Sequence, residues 1–366
     1  MTTRREVLGW TAAGVGMVAS GLARSASLAT ASRPLDILFL GGTGFIGPYQ
    51  VEYALARGHR VTLFNRGRST AGLFDGKAEL LIGNRDSKVD QGLSALAGER
   101  KWDLVIDNSG YVPRHVRDSI ELLKGRVRRY IYVSTVAVYD PANTTPAESS
   151  PLRPLPDPEN EEFSWERYGP LKAECDRIVQ TLGQRATIVR PCFIVGPKDE
   201  TDRFTYWVDR MARGGDVLGP PDPKRELQWV DVRDLCPWIV GLGERDVAGI
   251  FNAAGPVTPV SWEQTLAELA KLSKQPVRFH WSTIEILDEL KIDLPLVLLG
   301  GRTSRHFDNK ASLAAGLTYR PLADTAAAIL EWWRAQPADR RARAEDWPTP
   351  EKERAAIERL SATAAR

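Results

Sequence analysis

Asp36-Ile37-Leu38-Phe39-Leu40-Gly41-Gly42-Thr43-Gly44-Phe45-Ile46-Gly47 decides the fold. The first five residues form a short apolar run bounded by glycine, as a buried strand requires, and Ile46 to Arg57 has the composition of a helix. Between them lie glycines at Gly41, Gly44 and Gly47. A strand, a glycine turn and a helix in that order place unpaired backbone N–H groups and a positive dipole end where phosphates can bind. The glycines permit the tight turn and close approach of a pyrophosphate to the backbone.

Working outward, apolar runs alternate with helical stretches. A second strand, Arg60–Phe64, follows the Gly58-His59 turn, and further strands are expected at Leu80–Ile82, Trp102–Asp107, Tyr130–Val133 and Ala186–Arg190. A helix is expected over Leu171–Leu182, opened by Pro170. This predicts an α/β fold, a Rossmann-type doubly wound parallel sheet. Residues 34–190, with about 226–256, are assigned to the dinucleotide-binding domain, and the Pro-, Glu-, Ser- and Asn-rich stretch Asp140–Glu162 to a surface loop beside the site. Segments 191–225 and 257–345, richer in Trp, Pro and Gly, are assigned to a smaller C-terminal substrate-binding lobe, and 346–366 to a peripheral tail.

The chain has 366 residues, 43% hydrophobic and 26% charged, with a net charge of +2, enough apolar material for a sizeable core. Balanced charge gives no electrostatic case for a nucleic-acid partner. Cys175, Cys192 and Cys236 lie in apolar or helical runs and are read as core residues. With four scattered histidines they fit no metal-ligand pattern, so no metal site is expected.

At the end of the second strand, where an acidic residue would bond an adenosine ribose, the sequence has Asn65-Arg66-Gly67-Arg68. Arg66 and Arg68 suit a 2′-phosphate, which favours NADP over NAD, although arginines after a strand are also commonly solvated. Gly41, Thr43, Gly44, Phe45, Ile46 and Gly47 would hold the cofactor, and Asn108, Ser109 and Gly110, after the fourth strand, would line it. Tyr168-Gly169-Pro170-Leu171-Lys172 places a phenol and an ammonium about one helical turn apart. A phenol of reference pKa about 10 works as a base near neutrality only beside positive charge, which Lys172 can supply. Ser134 and Thr135 put a hydroxyl pair at the end of the fifth strand.

In this order these motifs resemble the extended short-chain dehydrogenases/reductases of the NAD-dependent epimerase/dehydratase family, over residues 34–335. Val189-Arg190-Pro191-Cys192-Phe193-Ile194-Val195-Gly196-Pro197 and Gln228-Trp229-Val230-Asp231-Val232-Arg233-Asp234-Leu235 are similar to later motifs of that family. Within it, the likeness runs to a subgroup that includes chloroplast stem-loop-binding proteins. The resemblance implies that Thr135 is the catalytic hydroxyl with Ser134 beside it, that Tyr168 is the acid/base and Lys172 its partner, that Asp86 contacts adenine, and that Lys172 and Pro191 touch the cofactor. Substrate contacts are assigned to Tyr111, Arg203 and Trp207. Arg203 is the candidate for an anionic group and Trp207 for stacking on a sugar, although most tryptophans in such a domain fill core.

The N-terminus, Thr3-Arg4-Arg5-Glu6-Val7-Leu8, then a mildly apolar run from Gly9 to Leu22 and Ala29-Thr30-Ala31, is similar to a twin-arginine signal peptide over residues 1–31, cleaved near Ala31. The run is too short and glycine-rich for stable membrane insertion, and a periplasmic or secreted location is expected. Outside the cytoplasm no free nicotinamide pool is expected, so the cofactor would be carried in and regenerated within each cycle. The resulting expectation is a redox-neutral epimerase or dehydratase acting on a sugar-like small molecule. A dehydrogenase or reductase of a carbonyl or polyol, or a non-catalytic nucleotide- or RNA-binding member of the fold, is the alternative. A homodimer is compatible with this reading.

Overall fold

The computed structural model describes residues 29–68, 72–297, 305–342 and 347–364. The glycine turn joins β1 (Asp36–Leu40) to α1 (Ile46–Ala56), followed by β2 (Arg60–Asn65) and β3 (Glu79–Ile82). Next come β4 (Trp102–Asp107), α2 (Pro113–Leu122), β5 (Val127–Val133), α3 (Tyr168–Gln180) and β6 (Ala186–Pro191). The strand boundaries lie within a few residues of those expected. Helix α3 starts earlier than expected, at Tyr168, because the first turn of a helix has no intrahelical acceptor for its N–H groups, so Pro170 fits inside it. Tyr168 and Lys172 therefore both lie on α3 itself.

The remaining elements are β7 (Phe193–Val195), α4 (Arg203–Arg213), β8 (Gly215–Gly219), β9 (Glu226–Asp231), α5 (Val232–Glu244), β10 (Gly249–Ala253) and β11 (Gly255–Ser261). They are followed by α6 (Trp262–Leu269), β12 (Val277–Trp281), α7 (Ile284–Leu290), α8 (Lys310–Ala314), α9 (Leu322–Arg334), α10 (Ala338–Ala342) and α11 (Pro350–Ala364). The central sheet has seven strands in the order β10-β6-β5-β4-β1-β2-β3, and every pairing in it is parallel. Strands buried on both faces explain the near-continuous apolar runs of β1 and β4. The chain order reverses at β1, which has β2 on one side and β4 on the other, and such a switch point opens a crevice at the carboxyl ends.

Two small sheets, β11-β9-β7 and β12-β8, build the lobe. Two assignments from sequence change here. Within residues 226–256, α5 and β10 join the α/β half, but β9 pairs with β7 and β11 outside the central sheet. The segment 346–366 is not peripheral: on α11, Ala356 is fully buried, and Glu353 is buried and ion-paired with Arg210 of α4 at 2.8 Å. Cys175 and Cys236 are core residues. The expected signal segment falls, for residues 1–28, outside the described residues; Ala31 donates its N–H to the carbonyl of Arg57 at 2.9 Å. Among the described residues no helix is long and apolar enough to cross a membrane.

Candidate active site

The three glycines of the loop have different structural work. At Gly41, φ is +85°, and a Cβ would lie 2.7 Å from Cβ of Ser109. A Cβ on Gly47 would lie 2.4 Å from the carbonyl carbon of Gly42, so the start of α1 packs directly on the turn. Gly44, by contrast, has nothing within 4 Å. The loop is thus closed against the protein at Gly41 and Gly47 and open at Gly44, beside Thr43, Phe45 and the amino end of α1, as a pyrophosphate cradle requires.

Across the crevice, Asn108, Ser109 and Gly110 follow β4. Ser109 Oγ donates to the Leu40 carbonyl at 3.0 Å, and Asn108 Nδ2 donates to Gln50 Oε1 at 2.6 Å. Gln50 Nε2 and Asn108 Oδ1 are buried without partners, two polar atoms free to meet a ligand. At the end of β2, Asn65 Oδ1 accepts the Gly67 N–H at 2.8 Å and shapes the turn that carries Arg66 and Arg68. Both arginines are exposed. Asp86 is engaged by Arg114 at 2.6 Å, and this bond holds its carboxyl at about 2.

Tyr168, Thr135 and Lys172 converge at the ends of β4 and β5. Gly169 allows it: a Cβ there would lie 2.5 Å from the Ala137 carbonyl oxygen, so α3 presses against the short turn that follows Thr135. The Thr135 hydroxyl caps that turn by accepting the Ala137 N–H at 3.2 Å, and it lies near enough to the Tyr168 phenol to favour its ionised form. Burial pushes the Tyr168 phenol up to about 12, while the Thr135 hydroxyl and the charge of Arg203 act to lower it. Lys172 is buried, and its Nζ donates to the carbonyls of Val133 at 2.8 Å and Gly110 at 3.0 Å, tying the end of β5 to the loop after β4. Burial lowers its pKa, and its ammonium stands 4.2 Å from the Tyr132 ring centroid. Ser134 is buried and faces Asp176, one turn beyond Lys172 on α3.

The substrate residues separate. Tyr111, 43% exposed, lies at the site with its ring 6.4 Å from that of Tyr168. Arg203, the first residue of α4, is exposed and close enough for its charge to act on Tyr168. Trp207 is a correction: it has 0% exposure, its Nε1 donates to the Pro295 carbonyl at 2.8 Å, and it packs on Tyr206 and Trp262, so it is core and presents no stacking face. Pro191 is buried at the carboxyl end of β6. Sequence reasoning missed two features beside the site. One is the buried pair Arg190–Asp176 at 2.7 Å, where Arg190 also donates to Tyr139 Oη at 2.7 Å. The other is the aromatic pair Phe163 and Trp165, whose signal was present as two large rings inside an otherwise polar loop.

Residues 37–254 match the model of the NAD dependent epimerase/dehydratase family. The chain belongs to that family. A curated relative, the chloroplast stem-loop binding protein of 41 kDa b of Arabidopsis thaliana, is 27% identical over 248 residues, 63% of this chain. The match spans 62% of that relative's length. Among solved structures, WbmG of Bordetella bronchiseptica in complex with NAD and UDP superposes with a TM-score of 0.62 at 15% identity, covering 83% of this chain and 95% of that one. A UDP-glucose 4-epimerase superposes with a TM-score of 0.58 at 15% identity, over 83% and 98% of the two chains. MoeE5 in complex with UDP-glucose and NAD gives 0.57 at 21% identity, over 82% and 98%. At these identities the likeness to solved structures is one of fold.

Proposed function

We propose that this protein is a redox-neutral epimerase or dehydratase acting on a sugar or glycoside, with a nicotinamide dinucleotide retained through the cycle. The observation that carries the reading is the meeting of Tyr168, Thr135 and Lys172 at the crevice beside a glycine loop that is open at Gly44. Gly41–Gly47, Asn108–Gly110 and Lys172 fit the dinucleotide, and the unpartnered Gln50 Nε2 and Asn108 Oδ1 favour a polar ligand there. Held by these residues, the dinucleotide would supply a reversible hydride acceptor for a carbinol carbon. The chain's own residues handle the proton: Thr135 orients the Tyr168 phenol, and Tyr168 takes the proton of the substrate hydroxyl and gives it back. A phenol near 12 needs positive charge to serve as a base; Arg203 acts on it in that sense, and Lys172, one turn along α3, is proposed to add to it.

The cofactor is read as NADP in preference to NAD, because Arg66 and Arg68 are exposed beyond β2, without an acidic residue in the Asn65–Arg68 turn. Several solved relatives in fold carry NAD, so Arg66 and Arg68 are the residues on which that preference rests. Export by the twin-arginine route, proposed from residues 1–31, supports a retained cofactor, since that route carries folded proteins. The likeness to a stem-loop binding protein supports a second reading, RNA-hairpin binding by the same fold.

Mass spectrometry of small molecules released by denaturing freshly purified protein tests the proposal. Stoichiometric NADP(H) is expected. Stoichiometric NAD(H) would keep the reaction and remove the role given to Arg66 and Arg68, whereas an empty protein that binds neither nucleotide would overturn the reading. Retention of hairpin RNA at moderate salt by such an empty protein would establish the second one.

A further inference from the structure

Among the described residues, the exposed aromatic rings are those of Tyr111, Phe163 and Trp165, at 43%, 43% and 75%. All three stand around Tyr168. Ring centroids of Trp165, Tyr111 and Phe163 lie 5.8, 6.4 and 6.4 Å from that of Tyr168. Phe163 is edge-on to Tyr111 at 5.7 Å and to Trp165 at 5.2 Å. Every other exposed large apolar side chain in this set is aliphatic and lies elsewhere, as at Leu80, Ile82 and Val257. Large rings left in water at a reactive phenol mark a surface that a ligand covers.

The segment bearing Phe163 and Trp165 is held in place. Arg167 donates to the carbonyls of Glu162 at 3.1 Å and Asp157 at 3.0 Å, and Arg117 pairs with Glu161 at 3.0 Å. The backbone that carries Phe163 and Trp165 is therefore anchored, which lowers the entropic cost of stacking on them. The same segment carries five acidic residues flanking Phe163 and Trp165 in sequence, Asp157, Glu159, Glu161, Glu162 and Glu166. Arg117 and Arg167 offset two of these five charges, and the remaining excess of carboxylates disfavours a diphosphate at Trp165 relative to an uncharged ring.

We propose that Trp165, supported by Phe163, is a second-ring subsite, and that the substrate is an uncharged glycoside. Its reacting pyranose lies over Tyr168 and Thr135, and the ring attached through its glycosidic oxygen stacks on Trp165. This rests on the carbohydrate reading above and deepens it. A nucleotide sugar is the competing ligand, and a second copy of the chain seated on Trp165 is the competing occupant.

Calorimetric titration of the purified protein, saturated with its nucleotide, tests the subsite. The probes are matched methyl and phenyl glycosides in gluco, galacto and manno configurations, with UDP-glucose as the anionic probe. For at least one configuration, the phenyl glycoside is expected to bind roughly 3- to 10-fold tighter than the methyl glycoside, the gain of one aromatic contact. Trp165→Ala is expected to abolish that ratio while nucleotide affinity and the melting temperature stay unchanged. Equal affinity within every pair, a ratio that survives Trp165→Ala, or no binding of any glycoside would overturn the proposal. So would UDP-glucose binding tighter than the glycosides, or a Trp165→Ala protein whose only change is from dimer to monomer in sedimentation. Absorbance of the bound nicotinamide separates the two readings. A phenyl preference without any absorbance change on any glycoside leaves the subsite standing and sinks the redox mechanism; an absorbance change with no phenyl preference does the reverse.

Discussion

The α/β half and the lobe each bury an arginine–carboxylate pair, and the two pairs are built at different ranges. Arg190 and Asp176, 14 residues apart, join neighbouring elements α3 and β6 under the site, with side chains 1% and 0% exposed. Arg210 and Glu353, 143 residues apart, join α4 to the terminal helix α11, with side chains 9% and 10% exposed. In the α/β half, closure follows from strand–helix alternation, and the ion pair sits inside a frame already complete. In the lobe, the frame itself depends on a distant segment returning: Glu353 Oε1 also accepts the Leu218 N–H at 3.0 Å, on β8.

The largest expected effect breaks that return. Glu353→Ala leaves Arg210 buried and unpaired, which costs about 3–5 kcal/mol. Urea unfolding followed by tryptophan fluorescence measures it, and the lobe's Trp207, Trp229 and Trp262 report on the right core. Nucleotide affinity of the protein that remains folded is expected to match the wild type. A loss below about 1 kcal/mol would mean that α11 is an accessory after all.

A second test sharpens the same contrast inside the α/β half, using two glycines of one loop. In Gly47→Ala the new methyl meets backbone at 2.4 Å, and backbone cannot rotate away, so about 1–3 kcal/mol of stability is lost along with cofactor binding. In Gly44→Ala the methyl meets open space. Stability is expected to stay within about 0.5 kcal/mol of wild type while dinucleotide affinity drops roughly tenfold or more. Equal destabilisation by both substitutions would contradict the assignment of Gly44 to the ligand.

These contrasts follow what could be read from sequence. The strands β1, β2 and β4 and the helix α1 were legible because each carries its own apolar pattern and is bounded by glycine or polar turns. The one-turn separation of Tyr168 and Lys172 and the place of Thr135 after β5 were legible from helix spacing and a strand end, whereas the roles given to them came from chain order and the family resemblance. Trp207 was not, since the composition of α4 does not say which face meets the lobe core. Glu353 looked like one more acid in a charged tail, and only the fold brings Arg210 to it. The membership of β9 was equally hidden, because a strand's own pattern does not choose its neighbours.

The smallest effect concerns how each half responds to acid. His115, on α2, is pushed down to about 4, first by burial and then by the charge of Arg85, with Arg114 acting the same way and Asp86 and Asp107 opposing. Its folded value lies below the ordinary 6.5, so the unfolded chain binds the proton more readily. The stability associated with a neutral His115 is present in full above about pH 6.5 and is lost as pH falls toward 4, amounting to about 2 kcal/mol by roughly pH 5. His115→Gln removes the titration, and its stability relative to wild type is expected to rise by that amount between neutral pH and roughly pH 5. Hydrogen exchange resolved by element locates the effect: in the wild type, protection of α2 is expected to fall with acid before that of α11. If α11 loses protection first, the lobe rather than the α/β half sets the acid limit, and the long-range pair is the weaker of the two closures.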